Sequence, residues 1–186
     1  MSLLLDPPLV KFFLAVFGQD VPLMSLAIET LGQEFDGGIL GQPDIQSDPR
    51  PITETAFYEK EMGQGLVKIY LTWPNLLSVE RLVDLKLLAM ALEKRWARDL
   101  DGQARRQVNL DPGYVFAGGL VLSTGKFAGH RLYLGQKIWG ELTLFYRKEF
   151  VILPWTYPDY QDPSVLALLT KARQDYLSAL RNQTKS

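Results

Sequence analysis

The chain has 186 residues, 47% of them hydrophobic and 22% charged, a balance that belongs to packed globules and not to disordered segments. Such a length allows one domain that buries roughly 70% of its unfolded surface. The absence of cysteine excludes disulfides, thiolate metal sites and a cysteine nucleophile, and a net charge of −1 with a pI of 5.9 argues against the basic field that nucleic acid requires.

After Pro7-Pro8, residues 10–17 are apolar at nearly every position, the pattern of a strand buried on both faces. The longest uninterrupted apolar run there, Phe12 to Phe17, is too short for a signal core or a membrane span. A cytoplasmic protein with no membrane partner is expected. Asp20 then stands as an N-cap with Pro22 in the opening turn, and Met24, Ala27, Ile28, Leu31 and Phe35 recur at helical spacing until Gly37-Gly38.

Residues 36–52, rich in Gly, Pro and Asp, read as a loop or irregular strand. Residues 66–73 alternate as a half-buried strand, and 53–60 are expected to pair with it through the glycine hairpin 61–65. From Ser78 a helix presents Leu82, Leu85, Ala89, Leu92 and Trp96 on one stripe, with Gly102 just beyond its end. Residues 107–110 form the next strand.

This order predicts an α+β fold with a ferredoxin-like βαββαβ core over 1–110, an antiparallel sheet carrying helices on one face. Short strand candidates at 120–124, 131–134, 138–146 and 150–153 predict a β-meander over 111–160 that extends or covers the sheet. Asp162-Pro163 opens a terminal helix in 161–186, with Leu166, Leu169, Tyr176 and Leu180 on one face beside the stem of Arg173. The whole of 1–186 is expected to be a single domain.

The chemistry-bearing residues concentrate between Arg106 and Arg131, around the sole histidine. Asn109, Asp111 and Tyr114 flank a Pro112-Gly113 pair that reads first as a turn, with Asp111 a candidate acid, base or metal ligand. In the segment Ser123-Thr124-Gly125-Lys126 the residue spacing fails the P-loop pattern. Five residues separate Gly119 from Gly125, and Phe127 stands where magnesium needs a hydroxyl. These four residues are expected to form a hairpin turn.

Lys126, His130 and Arg131 are candidates for an anion site, Arg131 supplying a planar fork and His130 a titrating proton. Glu59, next to Tyr58 and Glu61, is a third candidate acid or base beside Asp111 and His130, and Glu141 interrupts an apolar strand. The aromatics Trp155, Tyr157 and Tyr160 could stack on a base or sugar, or pack a loop over the core. Residues 1–60 carry a net −6 and the remainder +5, which would help an anionic ligand find the later part. No metal site is assigned, since one histidine and no cysteine exclude a multi-histidine or thiolate centre, and the cofactor is unknown.

Taken together, the blocks YEKEMGQGL at 58–66, RQVNLDPGYV at 106–115, LVLSTGKFAGHRLYLGQKIWGELTLFYRK at 120–148 and LPWTYPDY at 153–160 resemble a bacterial family, domain of unknown function 4416. The resemblance implies no activity or catalytic residue. Some members are labelled GTP-binding proteins, and the family pattern often has Thr-Thr-Lys where this chain has Ser123 to Lys126. Two functions follow as expectations: a site for a small anionic ligand, phosphorylated or nucleotide-like, or a non-enzymatic interaction or assembly module, homo-oligomers included, that uses exposed strand edges.

Overall fold

The computed structural model describes residues 3–53, 58–100 and 102–183. Strand β1 (Val10–Gly18) is buried along its whole length because it lies between two strands and beneath helices on both faces. Its alternation divides the core. Phe12, Leu14 and Val16 pack with Met24, Leu31, Leu85 and Leu92 in one apolar cluster, while Phe13 and Ala15 pack with Tyr160, Val165 and Leu169 in another.

The first cluster belongs to helices α1 (Val21–Glu34) and α3 (Leu82–Arg95). The Asp20 carboxylate caps α1 by accepting from the Leu23 N–H at 3.1 Å, and Pro22 sits in its first turn, where a missing N–H costs nothing. Ser78 accepts from the Glu80 N–H ahead of α3. The second cluster lies under the terminal helix α4 (Pro163–Gln183), on the opposite face of the sheet from α1 and α3. Among the described residues no helix is long and apolar enough to cross a membrane.

Among the described residues, one nine-stranded antiparallel sheet runs in the order β11-β10-β8-β7-β1-β4-β2, with β3 also on β4 and β9 also on β10. Its remaining members are β2 (Ile45–Gln46), β3 (Arg50–Pro51), β4 (Val67–Leu77), β7 (Val108–Phe116), β8 (Gly119–Thr124), β9 (Leu132–Gly135), β10 (Ile138–Tyr146) and β11 (Phe150–Ile152). The short strands β5 (Arg98–Leu100) and β6 (Gln103–Arg105) form a separate hairpin. The fold is mixed α+β with a large antiparallel sheet.

Four local expectations are corrected. On the side of β4 away from β1, the paired strands are Ile45–Gln46 and Arg50–Pro51, not 53–60. Residues 59–62 of that stretch form a helical turn, α2 (Glu59–Met62), and 54–57 lie outside the described residues. Gly102 turns the β5–β6 hairpin with φ of 74°, several residues past the end of α3.

The other two corrections bear on function. Asp111-Pro112-Gly113 is no turn, since β7 runs straight through it. Ser123 and Thr124 close strand β8, so that only Gly125 and Lys126 of the expected turn leave the sheet. Turn chemistry at Pro-Gly was overridden by tertiary pairing: β1 holds β7 in register from Lys11 opposite Val115 to Gly18 opposite Val108.

Candidate functional site

The sheet forks. Strands β7 and β8 pair only from Gly113 opposite Leu122 to Phe116 opposite Gly119, whereas β7 stays on β1 down to Val108 and β8 stays on β10 up to Thr124. Pro112 explains where the seam ends, because it lacks the N–H that would continue the ladder toward β8. Its carbonyl instead accepts from the Ser123 hydroxyl at 2.6 Å.

Beyond that point β7 has an open edge inside the protein, and unpaired buried backbone groups cost about 1–3 kcal/mol each. Helix α3 supplies the missing partners. The Glu93 carboxylate accepts from the Leu110 N–H at 2.7 Å, and the Lys86 ammonium donates to the Leu110 carbonyl at 2.9 Å. A lysine and a glutamate thus take the place of a neighbouring strand.

Between the two arms lies a cleft of about 740 Å³, within the range of small-molecule sites. Val108 and Leu110 pack toward α1 and α3, so Asn109 and Asp111 face the other side of the sheet. Lys86 reaches past the open edge to Asp111 Oδ1 at 3.1 Å, and Asn109 donates to Asp111 Oδ2 at 2.8 Å. Burial opposes ionisation of Asp111, but the charges of Lys86 and Lys68 and the hydrogen bonds from Lys86 and Asn109 outweigh it, holding the carboxyl below its usual range. Arg106 grips Glu61 with two bonds of 2.6 and 2.7 Å and donates to Asn109.

Burial pushes the Glu93 carboxyl up, and this gives a pH test. A carboxyl raised in the fold withdraws stability as pH climbs from its unfolded value, 4.5, through the folded one. Asp111 and Glu61 are lowered, so their contributions change only below 3.8 and 4.5 and are constant above. Glu93→Gln keeps the acceptor for Leu110 without the charge. Its unfolding free energy relative to the parent is expected to rise from pH 4.5 until the folded value is passed and then to level off in urea titrations; a difference independent of pH would refute the buried-charge account.

The far arm is built around Glu141, a β10 carboxylate that is 2% exposed. Its Oε2 lies 2.8 Å from both His130 Nε2 and Arg131 Nε. Arg131 also donates to the Lys126 carbonyl at 2.8 Å and to the Tyr157 hydroxyl at 3.2 Å. His130 stacks on Trp155, with centroids 4.8 Å apart and rings 14° from parallel. Arg131 is therefore a half-buried tether that joins the Lys126 loop to β10 and Tyr157.

Toward α4, Lys68 meets Asp159 Oδ2 at 2.5 Å, and the Tyr70 hydroxyl donates to the same oxygen at 2.7 Å. The rings of Phe17, Tyr70 and Tyr160 lie 4.9 to 5.6 Å from the Lys68 ammonium, close enough for cation–π attraction. Burial and the Asp111 charge push the Tyr58 phenol up to about 12.

Asn109, Asp111, Lys126 and Arg131 thus line one cleft. His130 stands behind Glu141. Tyr114 lies on the other face of β7, packed against the α1–α3 core and edge-on to Phe116 at 5.7 Å. Glu59 begins α2 and is not a lining residue. Lys68, Lys86, Glu93, Arg106 and Asp159 also line the cleft without having been singled out from sequence. Among the described residues, no group of three or more His, Asp or Glu is placed to hold a metal ion.

The fold and cleft define a mixed α+β protein whose central antiparallel sheet splits around a charged pocket. The family described as Domain of unknown function (DUF4416) matches residues 8–176, and the chain belongs to it. No curated protein and no solved structure matches the chain.

Proposed function

We propose that the protein binds a small anionic molecule, phosphorylated or nucleotide-like, in the cleft between the β7 and β8 arms. The observation that carries this reading is the gathering of five cations, Lys68, Lys86, Arg106, Lys126 and Arg131, around one cleft that has four acids in its lining, Glu93, Asp111, Glu141 and Asp159. Four of the cations are held in ion pairs with carboxylates, which fixes them in place before a ligand arrives and lowers the ordering cost of binding. The same capping argues against an extended peptide, since the open edge of β7 already has its hydrogen bonds from Glu93 and Lys86.

Lys126, exposed where β8 ends, is the natural first contact for an anion. Asp111, ionised and turned into the cleft, is the group best placed to accept a hydrogen bond or a proton from the rest of the ligand. Titration calorimetry against nucleotides and sugar phosphates tests the reading. At least one member of the panel should bind, with affinity falling about ten-fold in Lys126→Ala, as expected on losing a charge-assisted contact, and falling further with added salt. Absence of heat across the panel, or binding indifferent to Lys126→Ala and to Arg131→Ala, would remove the proposal.

A further inference from the structure

The fork leaves two strand edges facing each other, and they are finished differently. On β7 the Leu110 N–H and carbonyl are taken by Glu93 and Lys86. On β8 the rung between Phe116 and Gly119 sets the alternation, so Val121 and Ser123 turn their N–H and C=O groups toward β7 while Thr124 turns its own toward Trp139 of β10. The Ser123 carbonyl thus looks across at Pro112, which has no N–H to give it. The next group along that edge is the Gly125 N–H, and among the described residues no hydrogen bond reaches it. Ser123, Thr124 and Gly125 all line the cleft.

An acceptor and a donor therefore stand side by side on the open edge of β8, and the gap beside them ends where Gly113 meets Leu122. An added strand would have to run past that closure, whereas a flat ring needs only the two groups. Nothing lies within 4 Å of a Cβ added at Gly125, so the approach is open. Helix α3 carries Lys86, Met90 and Glu93 at spacings of four and three, one stripe of the helix, which sets Met90 between the two capping charges. Met90 is 43% exposed and lines the cleft, and its thioether is suited to the face of a ring. Tyr157 and Pro158, from the segment that leads into α4 on the other face of the sheet, line the same space.

We propose that the ligand of the cleft is a nucleotide whose base lies where the missing strand would run, donating an N–H to the Ser123 carbonyl and accepting from the Gly125 N–H, with Met90 against its face. This rests on the reading of the cleft as an anion site and assigns the part of the ligand away from the phosphate, which points outward to Lys126. The common bases carry a donor beside an acceptor on their pairing edge, so the β8 edge selects a base over a bare sugar and does not choose among bases.

Titration calorimetry with the full chain compares nucleoside monophosphates, the same compounds methylated so that the edge donor is lost, unphosphorylated nucleosides, and ribose phosphate. A nucleotide should bind roughly ten-fold or more tighter than ribose phosphate, and edge methylation should weaken it about ten-fold, the worth of one hydrogen bond. Gly125→Pro, which removes the N–H, should also weaken nucleotides about ten-fold, and Met90→Ala about two- to ten-fold, the range of a sulfur–ring contact. Urea denaturation checks that both variants fold, and the Gly125 amide of the parent protein should shift in NMR spectra when nucleotide binds. Ribose phosphate bound as tightly as any nucleotide, with binding still lost in Lys126→Ala, would overturn the base assignment and leave the anion site standing. Nucleosides bound as tightly as nucleotides, with edge methylation still costly, would uphold the base assignment and remove the anion site. Indifference to methylation, a Gly125 amide unmoved by nucleotide, or silence of every compound would each overturn the inference.

Discussion

Lys86→Met should cost about 3 kcal/mol of folding free energy, the low end of what breaking a buried ion pair costs. The figure follows from what the substitution leaves behind. Lys86 is 5% exposed and its ammonium serves the Leu110 carbonyl and the Asp111 carboxylate together. Methionine fills nearly the same volume, so the loss is electrostatic and not a cavity. The Asp111 side chain, 32% exposed toward the cleft, recovers part of its solvation from water, which places the expected cost at the lower end of the range. In a chain of this length, that loss lowers the melting temperature by about 6–12 °C.

A second variant separates this cause from simple misfolding. Adding Glu93→Gln and Asp111→Asn to Lys86→Met removes the stranded charges, and most of the lost stability should return in urea denaturation. A Lys86→Met protein as stable as the parent would show that the edge of β7 finds its partners elsewhere. A loss that the added neutral residues leave untouched would count equally against the charge argument.

The same helix shows what was legible in the sequence. The stripe of Leu82, Leu85, Ala89 and Leu92 was readable from spacing alone, and all four are buried against β1 and β7. Lys86 and Glu93, each one step beyond a stripe residue and seven apart, fall on the same inward side. A charged pair at heptad spacing beside an apolar stripe was the available signal, but it looks the same as a solvated helix flank until something is known to need a donor and an acceptor. That need arises from Pro112, whose effect depends on which strand lies on each side.

Strand and helix types were therefore easier to read than partners. The full burial of β1 was visible in 10–17 because a strand covered on both faces has no polar alternation. The edge strands β2 and β3 fall in the Gly- and Pro-rich stretch that read only as a loop or irregular strand, because two-residue pairings leave no period to detect. At the site, Asp111, Lys126 and Arg131 stood out for their chemistry. Lys68 and Asp159 did not, because they come from elements 91 positions apart and meet only when α4's leading loop folds over β4.

Gly113→Ala should be one of the most damaging single methyls in the sheet. A Cβ there would stand 2.2 Å from the Val121 carbonyl oxygen and 2.8 Å from a Leu122 methyl, well inside contact distance, and the first of these obstacles is backbone. Overpacking a tight interior costs about 1–3 kcal/mol and sometimes more, and with no flexible end to move, a cost of about 3 kcal/mol or above is expected here. Gly113 opposite Leu122 is also the last rung before the arms part, so the methyl acts at the apex of the fork. Relief requires β8 to shift away from β7, which moves Ser123 from the Pro112 carbonyl and carries the Lys126 loop with it. Gly125→Ala is the matched control, since nothing lies within 4 Å of a Cβ added there and its φ is not in the left-handed region. Urea denaturation should find Gly125→Ala within about 0.5 kcal/mol of the parent and Gly113→Ala strongly destabilised. Equal stability of the two would mean that β7 and β8 are not seamed as closely as the fork requires.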